Sequence, residues 1–150
     1  MKYSWHKGKL LPGQVQQVYG FVVTKDDLVV LVRDKGEERF TPVGGAVEAN
    51  EAAQDGFKRE LKEEAQLQAS DIHLLGTVEV KDEENGSDRE LQVRYACRPE
   101  KIEEFIPCKD GFEVEQRIFV HIDELPRYVK WLNTPDGEEM FEALKEYISQ

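Results

Sequence analysis

Residues 44–67 read GGAVEANEAAQDGFKRELKEEAQL. Two glycines open it, a polar turn follows, and a helical run then carries Arg59, Glu60, Glu63 and Glu64. An α-helix advances about 100° per residue, so positions i, i+3 and i+4 share one side. Glu60, Glu63 and Glu64 are therefore expected on one stripe, close enough for their carboxylates to share a cation. Carboxylates this close repel one another unless a positive charge sits among them. Oxygen-only ligands of this kind suit a hard ion such as Mg2+ or Mn2+. An ELKEE run taken alone reads as a solvated helix face; the spacing around it changes that reading.

Gly45, five residues, Glu51, seven residues, Arg59-Glu60-Leu61, one residue, Glu63-Glu64, two residues and Leu67 form a fixed frame. The frame resembles the Nudix box, G-x5-E-x7-R-E-U-x-E-E-x-G-U with U apolar, and departs from it only at Gln66, where that family has glycine. The resemblance implies an α+β chain, a Nudix-like α/β/α sandwich with a mixed β-sheet, in one domain over residues 1–150. It implies a metal-dependent pyrophosphohydrolase that cleaves the diphosphate linkage of a small nucleoside diphosphate derivative. Mg2+ or Mn2+ would sit on Glu60, Glu63 and Glu64, with the Gly44 carbonyl as a further ligand. Arg59 would hold the carboxylates in place, with Glu51 as its partner. The general base is Glu60 within the box or an acid outside it. Glu113 lies six residues before Phe119, ahead of an Asp123-Glu124-Leu125 segment of the kind the family carries, and Glu115 is its neighbour. The alternative is a non-catalytic Nudix-like domain that binds a nucleotide or regulates another protein. Substrate-binding residues stay unassigned, because the family sets specificity in loops outside the box.

The chain has 150 residues, 39% hydrophobic and 34% charged, which suits one compact core. No apolar run approaches the ~20 residues of a membrane span. The opening MKYSWHKGKLLPG lacks the apolar centre of a secretory signal. Two cysteines, Cys97 and Cys108, are too few for a disulfide framework, so reduced thiols and a cytoplasmic location are expected. A net charge of −11 argues against a broad nucleic-acid footprint. It leaves room for a small phosphorylated ligand whose charge a metal offsets. A homodimer is compatible with all of this.

In chain order, residues 15–24 and 28–33 read as strands joined by a tight hairpin turn at Lys25-Asp26-Asp27. Pro42 makes residues 39–43 a short extended segment, and Gly44-Gly45 offer backbone geometries closed to other residues. Asn50 reads as the cap of a helix over 51–65 with Ala53, Phe57 and Leu61 on its core side. Gly56 is out of place for helix propensity unless something packs closely there. Gln66 either enters the left-handed region with strain or lets the helix run on. In the strained case Gln66→Gly is expected to leave stability unchanged or raise it. Two further strands, 72–80 and 90–97, flank a loop with the turn pair Asn85-Gly86. Residues 99–111 read as irregular, 116–122 as a strand and 128–132 as a short helix. Thr134-Pro135-Asp136 opens a terminal helix with a stripe of Met140, Phe141, Leu144, Tyr147 and Ile148. Tyr3, Trp5, Tyr19, Phe40 and Trp131 read as packing residues, although any aromatic face can stack a base. His6, His73 and His121 lack ligand spacing.

Overall fold

A computed structural model describes residues 1–84 and 89–150; the Asn85-Gly86 turn lies outside the described residues. Nine strands are described: β1 (Lys2–Lys7), β2 (Val15–Val22), β3 (Leu28–Asp34), β4 (Val43–Ala46), β5 (Leu67–Gln68), β6 (Ile72–Lys81), β7 (Arg89–Cys97), β8 (Lys101–Ile102) and β9 (Val114–His121). The main sheet has the order β1-β6-β7-β2-β4. It is mixed, because β2 runs parallel to β7 and the other neighbours are antiparallel. β3 pairs with β9, and β5 with β8, as two-stranded sheets.

β1 has no counterpart in the sequence reading. Its residues KYSWHK alternate polar and aromatic rather than polar and aliphatic, and it forms the sheet edge against β6, with Trp5 opposite Val78. Lysines at both ends suit an edge exposed to water. The expected hairpin at Lys25-Asp26-Asp27 is a turn but not a hairpin. Beyond one bridge, Val23 to Val29, β2 and β3 separate into different sheets.

Helix α1 spans Ala53–Glu60 and is followed directly by a π-helical turn, Leu61–Ala65. The expected start at Asn50 is wrong. Asn50 is itself in the left-handed region with φ 65°, and Ala52, which has no side-chain oxygen, occupies the cap position. Glu51 is thereby left outside the helix, free to face Arg59. Phe57 is fully buried against β2, where a side chain on Gly20 would lie 2.1 Å from its ring, and it stacks on Tyr95 at 5.3 Å. Such burial contributes roughly 1.5–3 kcal/mol and fixes the rotation of α1 on the sheet.

The opposite face carries α2 (Leu125–Tyr128), flanked by 3-10 turns, and α3 (Pro135–Ile148). The Thr134 hydroxyl caps α3 by accepting from Gly137 N at 3.1 Å. Met140 and Leu144 are buried and Phe141, Tyr147 and Ile148 lie at the edge of that core. Val18, Val22, Phe57, Leu61 and Val93 form the second core, under α1. The architecture is an α/β/α sandwich of the α+β class. Among the described residues no helix is long and apolar enough to cross a membrane.

Candidate active site

Gly44 and Gly45 sit on β4, opposite Tyr19 and Val18 of β2. Neither has a positive φ, so the glycines are not needed for a special turn. They are needed for close approach. A side chain on Gly45 would lie 2.9 Å from Glu60 Oε1, and one on Gly44 would lie 2.0 Å from the Val18 carbonyl. The bare strand lets the Glu60 carboxylate rest directly on the sheet, where the residue is only 7% exposed.

Arg59 organises the acids around it. Its Nε and Nη2 donate to the two Glu51 oxygens at 2.8 and 3.1 Å. Nη1 donates to Glu60 Oε1 and to Glu63 Oε2, each at 3.1 Å, and Nη2 also reaches the Ala46 carbonyl at 3.0 Å. Glu51 Oε1 in turn accepts from Glu48 N at 3.0 Å. A side chain on Gly56 would come within 3.0 Å of the Glu51 carboxylate. That accounts for glycine inside α1; the close neighbour is an acid, not a strand.

In this network Glu63 is bonded to Arg59. Among the described residues no three acids, histidines or cysteines are gathered to hold a metal ion. The charge that the clustered carboxylates require comes from Arg59, which draws Glu63 toward itself. The π turn contributes as well, since its i→i+5 pattern is wider than the α-helix assumed for the spacing. Glu60 and Glu64 instead face a cleft of about 530 Å³ with Gly44 on one wall and Asp34, Glu37 and Glu113 on the others. Arg39 also lines it. Of the two acids considered outside the box, Glu113 stands on the cleft and Glu115 pairs with Arg33 at 3.5 Å.

The electrostatics of the cleft are those of crowded, partly dehydrated acids. Burial pushes the Glu60 carboxyl up to about 7, against the pull of Arg59 and with the push of Glu64 and Glu63. Burial also raises Glu64, assisted by Asp34, Glu63 and Glu113. Asp34 is raised by burial and then by Glu113 and Glu37. Glu51 is lowered by its hydrogen bond from Arg59. Carboxylate and carbonyl oxygens beside a glycine wall, with excess negative charge, are the donor chemistry that suits a hard divalent cation.

The NUDIX domain family model matches residues 14–144. The chain belongs to the Nudix family. Solved structures agree in fold. The pyrophosphohydrolase BsRppH of Bacillus subtilis superposes with a TM-score of 0.74 at 19% identity, covering 97% of this chain and 90% of that one. A Nudix hydrolase from Nitrosomonas europaea gives 0.62 at 18%, covering 87% and 88%. A UDP-X diphosphatase gives 0.67 at 20%, covering 92% and 66%. Among curated proteins, none matches the chain.

Within the Nudix box, Gln66 resolves the choice left by the sequence. It ends the π turn in the left-handed region, φ 56° and ψ 48°, and its N–H donates to the Leu61 carbonyl. Its side chain is buried. Nε2 donates to the Ile106 carbonyl at 2.9 Å, and Oε1 accepts from Ile106 N at 2.8 Å. Arg117 of β9 completes the clip by donating to the Ala65 and Glu103 carbonyls, both at 2.8 Å.

Several residues of this Nudix cleft escaped the sequence reading. Asp34, Glu37 and Arg39 belong to RDKGEER, a run that reads as an ordinary charged loop. Its only hint is its position between a strand and the glycine pair. A second cavity, of about 770 Å³, shares Tyr19 and Thr41 with the cleft and is walled by Tyr3, Trp131 and Met140. Tyr3, Tyr19 and Trp131 are therefore not simply packing residues, whereas Trp5 and Phe40 do pack against the core. His73 stacks on Tyr147 at 4.9 Å. Both cysteines are free thiols.

Proposed function

We propose that this Nudix protein is a divalent-cation-dependent pyrophosphohydrolase acting on a small nucleoside diphosphate derivative. The observation that carries the reading is the cleft itself. Glu60 and Glu64 of the box, Gly44 of β4, and Asp34 and Glu113 from outside the box line one cavity. Two structural neighbours, named as a pyrophosphohydrolase and a UDP-X diphosphatase, support it.

Glu60, Glu64 and the Gly44 carbonyl, which share the cleft, are the proposed holders of the ion, Mg2+ or Mn2+; Glu63 would join them by turning from Arg59. When bound, such an ion offsets the charge of a diphosphate and lowers the pKa of a bound water. Arg59 is a positioning residue: it fixes Glu60 and Glu63 while Glu51 and the Ala46 carbonyl fix Arg59. Glu113 is the proposed base. It stands on the cleft, exposed to solvent, where it takes a proton from water as the water oxygen attacks phosphorus and the bridging P–O bond breaks.

Glu64→Gln removes one charge from the cleft without touching the Arg59 network. Hydrolysis, measured over a panel of nucleoside diphosphate derivatives with magnesium and with manganese, is expected to fall by at least ~10²-fold. Glu139→Gln, an exposed α3 position, is the control and should retain full activity. Equal activity of the two variants on the best substrate would overturn the enzymatic reading in favour of a binding or regulatory domain.

A further inference from the structure

The segment between β8 and β9, residues 103–113, carries the proposed base at its end, yet none of its residues is buried. Phe105 packs partly against the core under α1, with its ring centre 5.3 Å from Arg117 Cζ. Beyond that contact the segment is placed by polar ties, the pattern of a locally weak region. It also turns sharply, with Cys108, Asp110 and Gly111 in the left-handed region at φ 50°, 55° and 83°.

The ties fall into two groups. At the far end, the Glu113 carbonyl accepts from Lys35 N, and Cys108 N donates to the Val114 carbonyl, both at 2.8 Å. At the near end the segment is held by Gln66 and Arg117. The Gln66 carbonyl accepts from Glu103 N at 3.2 Å, and the Gln66 amide takes both polar groups of the Ile106 backbone. Arg117 holds only the Glu103 carbonyl. Gln66 is 3% exposed, so water is poorly placed to replace its amide. A glycine here would keep the Glu103 tie and lose both Ile106 ties. Gln66 also closes the π turn two residues after Glu64. It therefore joins the turn that carries Glu64 to the segment that carries Glu113, and both acids line the one cleft.

We propose that Gln66 is a positioning residue: its amide, through Ile106, holds residues 103–113 so that Glu113 stays with Glu64 in the cleft. The assignment rests on the pyrophosphohydrolase reading with Glu113 as base. Positioning of this kind acts on the chemical step, because a base displaced by about 1 Å loses much of its effect while the rest of the cleft still binds substrate.

Two variants test it. Gln66→Gly removes the amide; Gln66→Asn keeps an amide on a residue that tolerates the left-handed region but is one methylene too short to span Ile106. Ala143→Gly, buried on α3 and away from both cavities, is a control of comparable destabilisation. Thermal unfolding sets a temperature at which every variant is folded. On the best substrate of the panel, kcat should fall roughly tenfold in both Gln66 variants with KM near the wild-type value, and hold in Ala143→Gly. In chelator and without substrate, the Cys108 amide, whose bond to Val114 does not involve Gln66, should exchange with deuterium faster in both Gln66 variants than in wild type. Full kcat in either Gln66 variant, an equal loss in Ala143→Gly, or unchanged Cys108 exchange would each overturn the proposal. Active Gln66 variants beside an active wild type would remove this role alone; a wild type inactive on every substrate would remove the enzymatic reading and this role with it.

Discussion

Gln66 shows how one side chain can take over what a glycine would do. Glycine reaches the left-handed region without strain, and Gln66 does so at a cost of up to about 1 kcal/mol. In return its amide makes two hydrogen bonds to Ile106, each contributing roughly 0.5–1.5 kcal/mol. Gln66→Gly is therefore expected to destabilise the protein by about 1 kcal/mol, reversing the sign expected from backbone strain alone. Urea unfolding measures it, and a stabilised variant would mean the clip contributes nothing. The sequence named the box residues because their spacing is regular, and Arg59, Glu51 and Glu60 do meet. It could not show that Arg94, an isolated basic residue within an ordinary strand, is buried.

At the scale of elements, the acidic cleft is a joint between α1, the π turn, β4 and the end of β3. Burial and crowding favour the protonated forms of Glu60, Glu64 and Asp34. For Glu60 the folded pKa of about 7 lies above the ordinary 4.5, so its stabilising contribution is complete below 4.5 and is lost as pH rises through about 7. The difference corresponds to roughly 3 kcal/mol. Glu64 and Asp34 shift in the same direction. In chelator, thermal stability is expected to fall from pH 4.5 to 8. Magnesium or manganese should raise Tm at pH 8, where the carboxylates are ionised, and have little effect at pH 5. Equal shifts at both pH values would mean that the ion binds elsewhere. Most elements were legible from hydrophobic period and turn residues. The π turn was not, because LKEEA has good helix propensity in either winding, and β1 was not, because its apolar residues are aromatic and few.

For the whole molecule, the sequence could give the layers but not the far wall of the cleft. Asp34 ends β3 and Glu113 immediately precedes β9, and nothing local announces that these two strands pair. Leu28 opposes His121, about 90 residues away in the chain. That distance has a kinetic consequence. It is the longest loop that the strand pairing closes, so β3 and β9 are expected to zip together after the folding barrier, with the cleft assembling last. Val120, buried on β9, tests the order in stopped-flow denaturant jumps. Val120→Ala should speed unfolding on the order of tenfold and leave refolding nearly unchanged; slowed refolding would place the pair in the nucleus instead. Late assembly also means early release, so the acids that crowd one another in the finished protein are kept apart until the rest of the chain can hold them together.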